Sequence, residues 1–188
     1  MKAMFKTLFV FVTMTFGAMT ASANDEIVDV ALDNDIRAAI THLVETNEVA
    51  KELAATAKGA LVFPNMTKAG FLVGVQYGNG ALVKRKASGG YYISKYYNLK
   101  AASYGLQAGV QTFAYVMALM TDEAVEFVET TSGWELGVGP SIVAVDEGMM
   151  GTFSTTTAKS DIYAFTFGQK GLMAGLGIQG SKITRVNK

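Results

Sequence analysis

The sequence predicts an α+β fold, with N-terminal helices packed on a curled, mostly antiparallel β-sheet or barrel-like sheet and one short helix inserted near residues 122–129. Three observations carry this. Between Asn24 and Lys58 the apolar residues Ile36, Ala39, Ile40, Leu43, Val44 and Leu53 fall close to the 3.6-residue helical period. From Ala60 onward, short apolar runs alternate with glycines, the pattern of many short strands. Thr121-Asp122-Glu123 then opens a short segment carrying Ala124, Val125, Phe127 and Val128, a capped helix.

Residues 1–23 read as a cleavable export leader. Lys2 and Lys6 give a positive start, and Leu8 to Gly17 is apolar but too short to span a bilayer as a helix. Ala21-Ser22-Ala23 fits a small-x-small cleavage site. The alternative is an uncleaved N-terminal anchor. With no cysteine in the chain, lipoprotein processing is excluded. The expected product is a soluble periplasmic protein starting at Asn24. Two of the 16 basic residues lie in the leader, so the remainder holds 14 basic against 16 acidic residues. That balance argues against a nucleic-acid partner, which calls for a strongly basic face. Missing cysteines also remove disulfides, thiol catalysis and cysteine–zinc sites. Residues 24–188 are long enough for one domain with its own core.

The helical segment, 24–58, has Asp33 or Asn34 as N-cap, a break at Thr46 or Asn47, and Gly59 as its stop. Its acidic opening (Asp25, Glu26, Asp29, Asp33, Asp35) suits a helix N-terminus. The β-rich core, 59–188, is expected to contain strands at Ala60–Phe63, Gly70–Tyr77, Ala81–Lys86, Tyr91–Lys95, Gly105–Met120, Glu135–Val138, Ser141–Asp146, Asp161–Phe167 and Leu172–Ile183. Pro64-Asn65 should end the first run, because proline has no N–H to give a ladder. Gly70, Gly74, Gly78 and Gly80 mark tight turns or close backbone approach. Gly105–Met120 is long for a straight strand and predicts a bend or bulge. Gly74-Val75-Gln76, Gly105-Leu106-Gln107 and Gly177-Ile178-Gln179 place glycine and glutamine on one strand face. Residues 151–160 read as a polar loop or hairpin tip rich in Ser and Thr. A transmembrane barrel competes, but it needs at least eight strands of about nine to eleven residues, more than this chain offers.

Catalytic chemistry is not legible. His42, the single histidine, lies in the predicted helix, and Gly139-Pro140-Ser141 lacks the spacing of a nucleophile elbow. One histidine without cysteine cannot build a nitrogen–sulfur metal site. Glu123, Glu126 and Glu129 share a helix face that reads as solvated rather than cation-binding. Gly78-x-Gly80 is no dinucleotide fingerprint. The expectation is a non-enzymatic protein with no cofactor and no metal.

The aromatic and basic segment offers more. Lys84, Arg85, Lys86, Tyr91, Tyr92, Lys95, Tyr96, Tyr97 and Lys100 lie close together in sequence. Tyrosines suit a membrane–water boundary, and each cation near an anionic lipid surface contributes about 1 kcal/mol. The structural alternative is an ordinary solvated hairpin with lysines guarding its edge.

Ala57-Lys58-Gly59 with Pro64, Lys68-Ala69-Gly70-Phe71, and Gly78-Asn79-Gly80-Ala81-Leu82-Val83 with Arg85 follow one another in an order that resembles the SYLF domain, a lipid-binding family. Ser103 to Gly109 resembles its central strand, and Asp161-Ile162-Tyr163 with Gly171 to Gly175 its C-terminal pair. The resemblance spans about residues 50–183. It implies a phospholipid or membrane surface as partner, with Lys84, Arg85, Lys86, Tyr91, Tyr92, Lys95, Tyr96 and Lys100 as headgroup-binding residues. The function it implies is phospholipid binding in the bacterial cell envelope. An envelope protein bound along an exposed strand edge is the alternative. Animal members are credited with a basic N-terminal helix for phosphoinositides. Here that region is acidic, with Arg37 and Lys51 its only cations before Lys58. The actin binding of the yeast branch has no counterpart in a periplasm.

Overall fold

The computed structural model describes residues 22–135, 139–145, 159–171 and 181–186. Two helices, α1 (Ser22–Thr46) and α2 (Glu48–Thr56), precede two very long strands, β1 (Gly59–Arg85) and β2 (Tyr91–Leu119). Helix α3 (Asp122–Thr130) and strands β3 (Gly133–Glu135), β4 (Ile142–Val145), β5 (Ile162–Gly171) and β6 (Ser181–Arg185) complete them. The leader, the 151–158 part of the Ser/Thr-rich loop, and the Gly177 repeat lie outside the described residues, apart from Ser22 and Ala23.

The helix break falls at Asn47, whose side chain caps α2 by accepting from Ala50 N at 2.9 Å. Thr121 caps α3 in the same way, accepting from Ala124 N at 3.1 Å. The strands differ more from expectation. The three runs predicted within 60–86 are one strand, and Tyr91–Lys95 joins Gly105–Met120 as another. Pro64-Asn65 does not end the first run. The ladder shifts register between Phe63 and Met66, so the proline occupies a bulge where no N–H is needed. Asn65 Nδ2 donates to Asp35 Oδ2 at 2.7 Å, tying the bulge to α1.

A straight strand of 27 residues would extend roughly 90 Å, far beyond a domain of this size. The β1–β2 ribbon therefore coils. A second register shift, at Phe71/Val73 opposite Tyr104 and Ala108, supplies the bend expected in Gly105–Met120. The ribbon returns on itself: Gly78 and Gly80 pass against Asn65-Met66 and Val62-Phe63, and Gly59 reaches Val83. These glycines mark close approach, not turns. The turn is at Gly89 and Gly90, both with positive φ (89° and 78°), where Lys86 N donates to Gly90 O.

Among the described residues the sheet runs β3-β6-β2-β5-β4, with β1 on the free side of β2. All pairings are antiparallel except β4–β5. The result is a curled, mixed half-barrel with helices added, a mostly-β α+β fold. Leu61, Phe63, Met66, Leu82, Tyr97, Leu99, Phe113, Tyr115 and Met117 fill its inside, and α3 packs there through Ala124, Val125 and Val128. The alternate residues Val62, Ala81, Val83, Val116, Ala118, Tyr163 and Phe165 face outward onto α1 and α2. The strands around residues 60–63 and 113–119 are thus covered on both faces, which is why their sequence is a continuous apolar run.

Candidate functional site

The helices do not close fully on the sheet. Helix α2 presents Ala50 and Ala54, with Ala57 as its C-cap, and the sheet below presents Gly59, Ala60, Ala118 and Val83. Ala60 and Ala118 are direct cross-strand partners. Small side chains on both sides leave a groove of about 640 Å³. Ile36, Ile40, Leu43 and Val44 of α1 wall it, and Val116, Ile93 and Phe165 complete its floor. Tyr91 and Tyr92 stand at its edge, 43% and 40% exposed. Arg37, Thr41 and Glu45, one helical turn apart, form the rim on α1. Sequence reasoning did not find this groove. The alanines at 50, 54 and 57 were its trace, but alanine is also the ordinary filler of a helix.

The basic and aromatic residues chosen from the sequence divide into groups. Arg85 is occupied within the protein. Its Nη2 donates to the carbonyl oxygens of Ala54 (2.6 Å) and Ala55 (3.1 Å) and to Tyr91 Oη (2.8 Å), and its Nε donates to Ala57 O (3.0 Å). The guanidinium also lies 5.2 Å from the Tyr91 ring centre. It thereby caps the C-terminus of α2, where carbonyls lack helical partners. Tyr91 Oη donates to Ala54 O as well.

Lys84 and Lys95 converge on Glu129. Lys84 Nζ is 2.7 Å from Glu129 Oε2; Lys95 Nζ donates to Glu129 O at 3.1 Å, and Ser94 Oγ donates to Oε1 at 3.0 Å. Tyr97 Oη and Arg185 Nη1 donate to the neighbouring carbonyls of Val128 and Glu129, so the end of α3 is capped by this group. The row Glu123, Glu126, Glu129 is therefore not uniformly solvated: its last member is the hub of a partly buried cluster. Tyr96 Oη donates to Asp33 Oδ1 at 2.9 Å, and burial with this bond pushes its hydroxyl up to about 12. Lys86 is exposed at the hairpin tip and forms no ion pair among the described residues. Lys100 is exposed farther along β2, between Tyr77 and Lys182 in the ladder. The eight residues do not form one cationic face. Tyr91 and Tyr92 edge the groove, and Lys84, Arg85 and Lys86 line a second cleft of about 560 Å³ with Lys58, Asp122 and Glu129.

The Lys84 hydrogen bond holds Glu129 below its ordinary value of 4.5, against the opposing effect of burial. The same bond raises Lys84 above 10.5. Glu129 thus contributes stability that is present above 4.5 and lost as pH falls through its lower folded-state value. Lys84 contributes below 10.5 and loses its share as pH rises through its higher value. Glu129→Gln is expected to flatten the fall in melting temperature on acidification below about pH 5. A melting series across that range checks it.

His42 is exposed on α1, its ring 5.8 Å from that of Phe167. Among the described residues no group of three or more His, Asp or Glu could hold a metal, and no helix is long and apolar enough to cross a membrane. Compared with known families, residues 100–188 match the model described as "Ysc84: Las17-binding protein actin regulator". No curated protein matches the chain.

Proposed function

We propose that this chain, which belongs to the SYLF (Ysc84) family through residues 100–188, is a non-enzymatic lipid-binding protein that takes an apolar chain into the groove between α1–α2 and the sheet. The groove is the observation that carries this reading. Its volume of about 640 Å³ sits within the roughly 300–1,000 Å³ of pockets that enclose small ligands. Each methylene moved into it from water contributes about 0.8 kcal/mol. Lys86 at the tip, Tyr91 and Tyr92 at the edge, and Lys100 farther along β2 are the exposed residues that would meet a headgroup or membrane surface. Lys84, Arg85, Lys95 and Tyr96 support them from within. The setting is the envelope of a Gram-negative bacterium, reached through the leader at 1–23, with the mature chain in the periplasm.

Co-sedimentation with anionic and zwitterionic phospholipid vesicles, at low and high salt, tests the reading. Wild type is expected to bind. Ala60→Leu, which fills the groove floor, is expected to abolish binding while thermal stability holds or rises, because a void is filled. Binding that Ala60→Leu leaves intact would put the contact elsewhere. No binding to any vesicle would overturn the lipid reading.

One further observation favours a protein partner as a second reading. Val75 and Tyr77 stand 53% and 57% exposed on β1, in the stretch just before Gly78 and Gly80 return against residues 62–66. Exposed apolar side chains on a strand are suited to meeting a protein partner. Recovery of a discrete crosslinked envelope protein, with no vesicle binding, would favour it.

A further inference from the structure

We infer that the groove takes a single acyl chain as a fatty-acid anion, its carboxylate held at the rim by Arg37 and the Thr41 hydroxyl. The inference rests on the lipid reading and goes beyond it by naming the ligand and the residue that recognises its head. Size argues for one chain. A methylene is close in bulk to a water molecule, whose share of liquid volume is about 30 Å³. Some twenty such groups match about 640 Å³, which suits one long chain.

Charge argues for the position of the head. Among the described residues Arg37 is the only cation lining the groove. Unlike Arg85 and Lys84, it makes no hydrogen bond or ion pair among the described residues, and it is exposed. Its guanidinium presents a planar fork that matches a carboxylate with two parallel bonds. Thr41, one turn along the same rim, offers a hydroxyl donor. Glu45 is the only acid lining the groove among the described residues. It lies two turns from Arg37, about 12 Å along the helix. An anionic head is thus drawn to the Arg37 end and repelled from the other. The apolar wall between them, Ile36, Ile40, Leu43 and Val44, follows the line of the chain. The cation discounted in the sequence as too few for phosphoinositides becomes the one that reads a monoanion.

The test is a titration of the purified protein with palmitate labelled with carbon-13 at its carboxyl, followed by NMR, with hexadecanol as the uncharged chain. Wild type is expected to take one equivalent of palmitate. Arg37→Ala should weaken palmitate at least tenfold and raise the titration midpoint of the bound carboxyl, without changing hexadecanol binding. Arg37→Lys should restore part of the loss. Lys51→Ala, the same charge change on α2 away from the groove, should bind as wild type does. Arg37 makes no internal bonds among the described residues, so the variants should melt with wild type. Palmitate bound equally by Arg37→Ala would overturn the inference and leave the lipid reading standing. So would one-to-one uptake of a diacyl phospholipid in place of palmitate. Failure of wild type to take palmitate, hexadecanol or phospholipid would overturn both.

Discussion

Gly80→Ala is expected to destabilise the protein by about 3 kcal/mol or more, lowering its melting temperature by roughly 10 °C. Gly80 lies where the returning half of β1 passes over its own beginning. A Cβ there would overlap the Val62 carbonyl oxygen and meet the Phe63 ring at 2.5 Å. Neither neighbour can move aside cheaply. The oxygen belongs to the backbone beside the Pro64 bulge, and Phe63 is fully buried in the inner core. Elsewhere in a strand, glycine-to-alanine is neutral or helpful, since alanine loses less backbone freedom on folding. Gly133→Ala is the control. A Cβ at Gly133 finds its nearest atoms at 3.7 Å, ordinary contact, so that variant should stay within about 0.5 kcal/mol of wild type. Urea denaturation of the pair measures the difference. Equal stability would mean that the two halves of the ribbon do not press together at Gly80.

Arg85→Ala is expected to cost about 2–3 kcal/mol. The loss combines three carbonyl acceptors at the end of α2, the Tyr91 hydroxyl bond and the ring contact. Arg85→Lys should recover little, because an ammonium group cannot reach acceptors spread over Ala54, Ala55 and Ala57 as a planar fork does. Denaturant midpoints read the stability. Amide exchange of Ala57, whose N–H donates to Leu53 O in the last turn of α2, reads the local effect. Since Ala54 and Ala57 wall the groove, the variant should also bind apolar chains less tightly. A variant as stable as wild type would show that α2 holds its place without the arginine.

What the sequence revealed follows the range of the interactions involved. The helical segment, its break near Asn47 and the Thr121 cap are local, and each was legible from residues within a turn or two. Pro64 misled because a proline at a bulge and a proline ending a strand look alike until the partner strand is known. The merging of 60–86 into one strand was hidden for a related reason. Gly78 and Gly80 signal close approach in sequence, but which backbone approaches, that of Val62 and Phe63, is a property of the coil. The cationic segment carried its residue types without their partners: Arg85 is bound by Ala54, Ala55 and Ala57, and Lys84 by Glu129, in another element. The groove was the least visible, since it is defined by side chains that are missing.

The coiled ribbon also fixes the order in which the chain can assemble. Arg85 faces Tyr91 across the tip, whereas Gly59 faces Leu119 at the far end. Pairing at the tip closes a short loop at little entropic cost, and each later pair closes a longer one, so the ladder is expected to zip from the tip toward its base. The groove opens where this base meets α2 and the returned tip, since Gly59, Ala60 and Ala118 line it together with Val83, Tyr91 and Ile93. The groove would then be the last part of the molecule to form and the first to open, which places its dynamics, more than its chemistry, under the control of the hairpin tip.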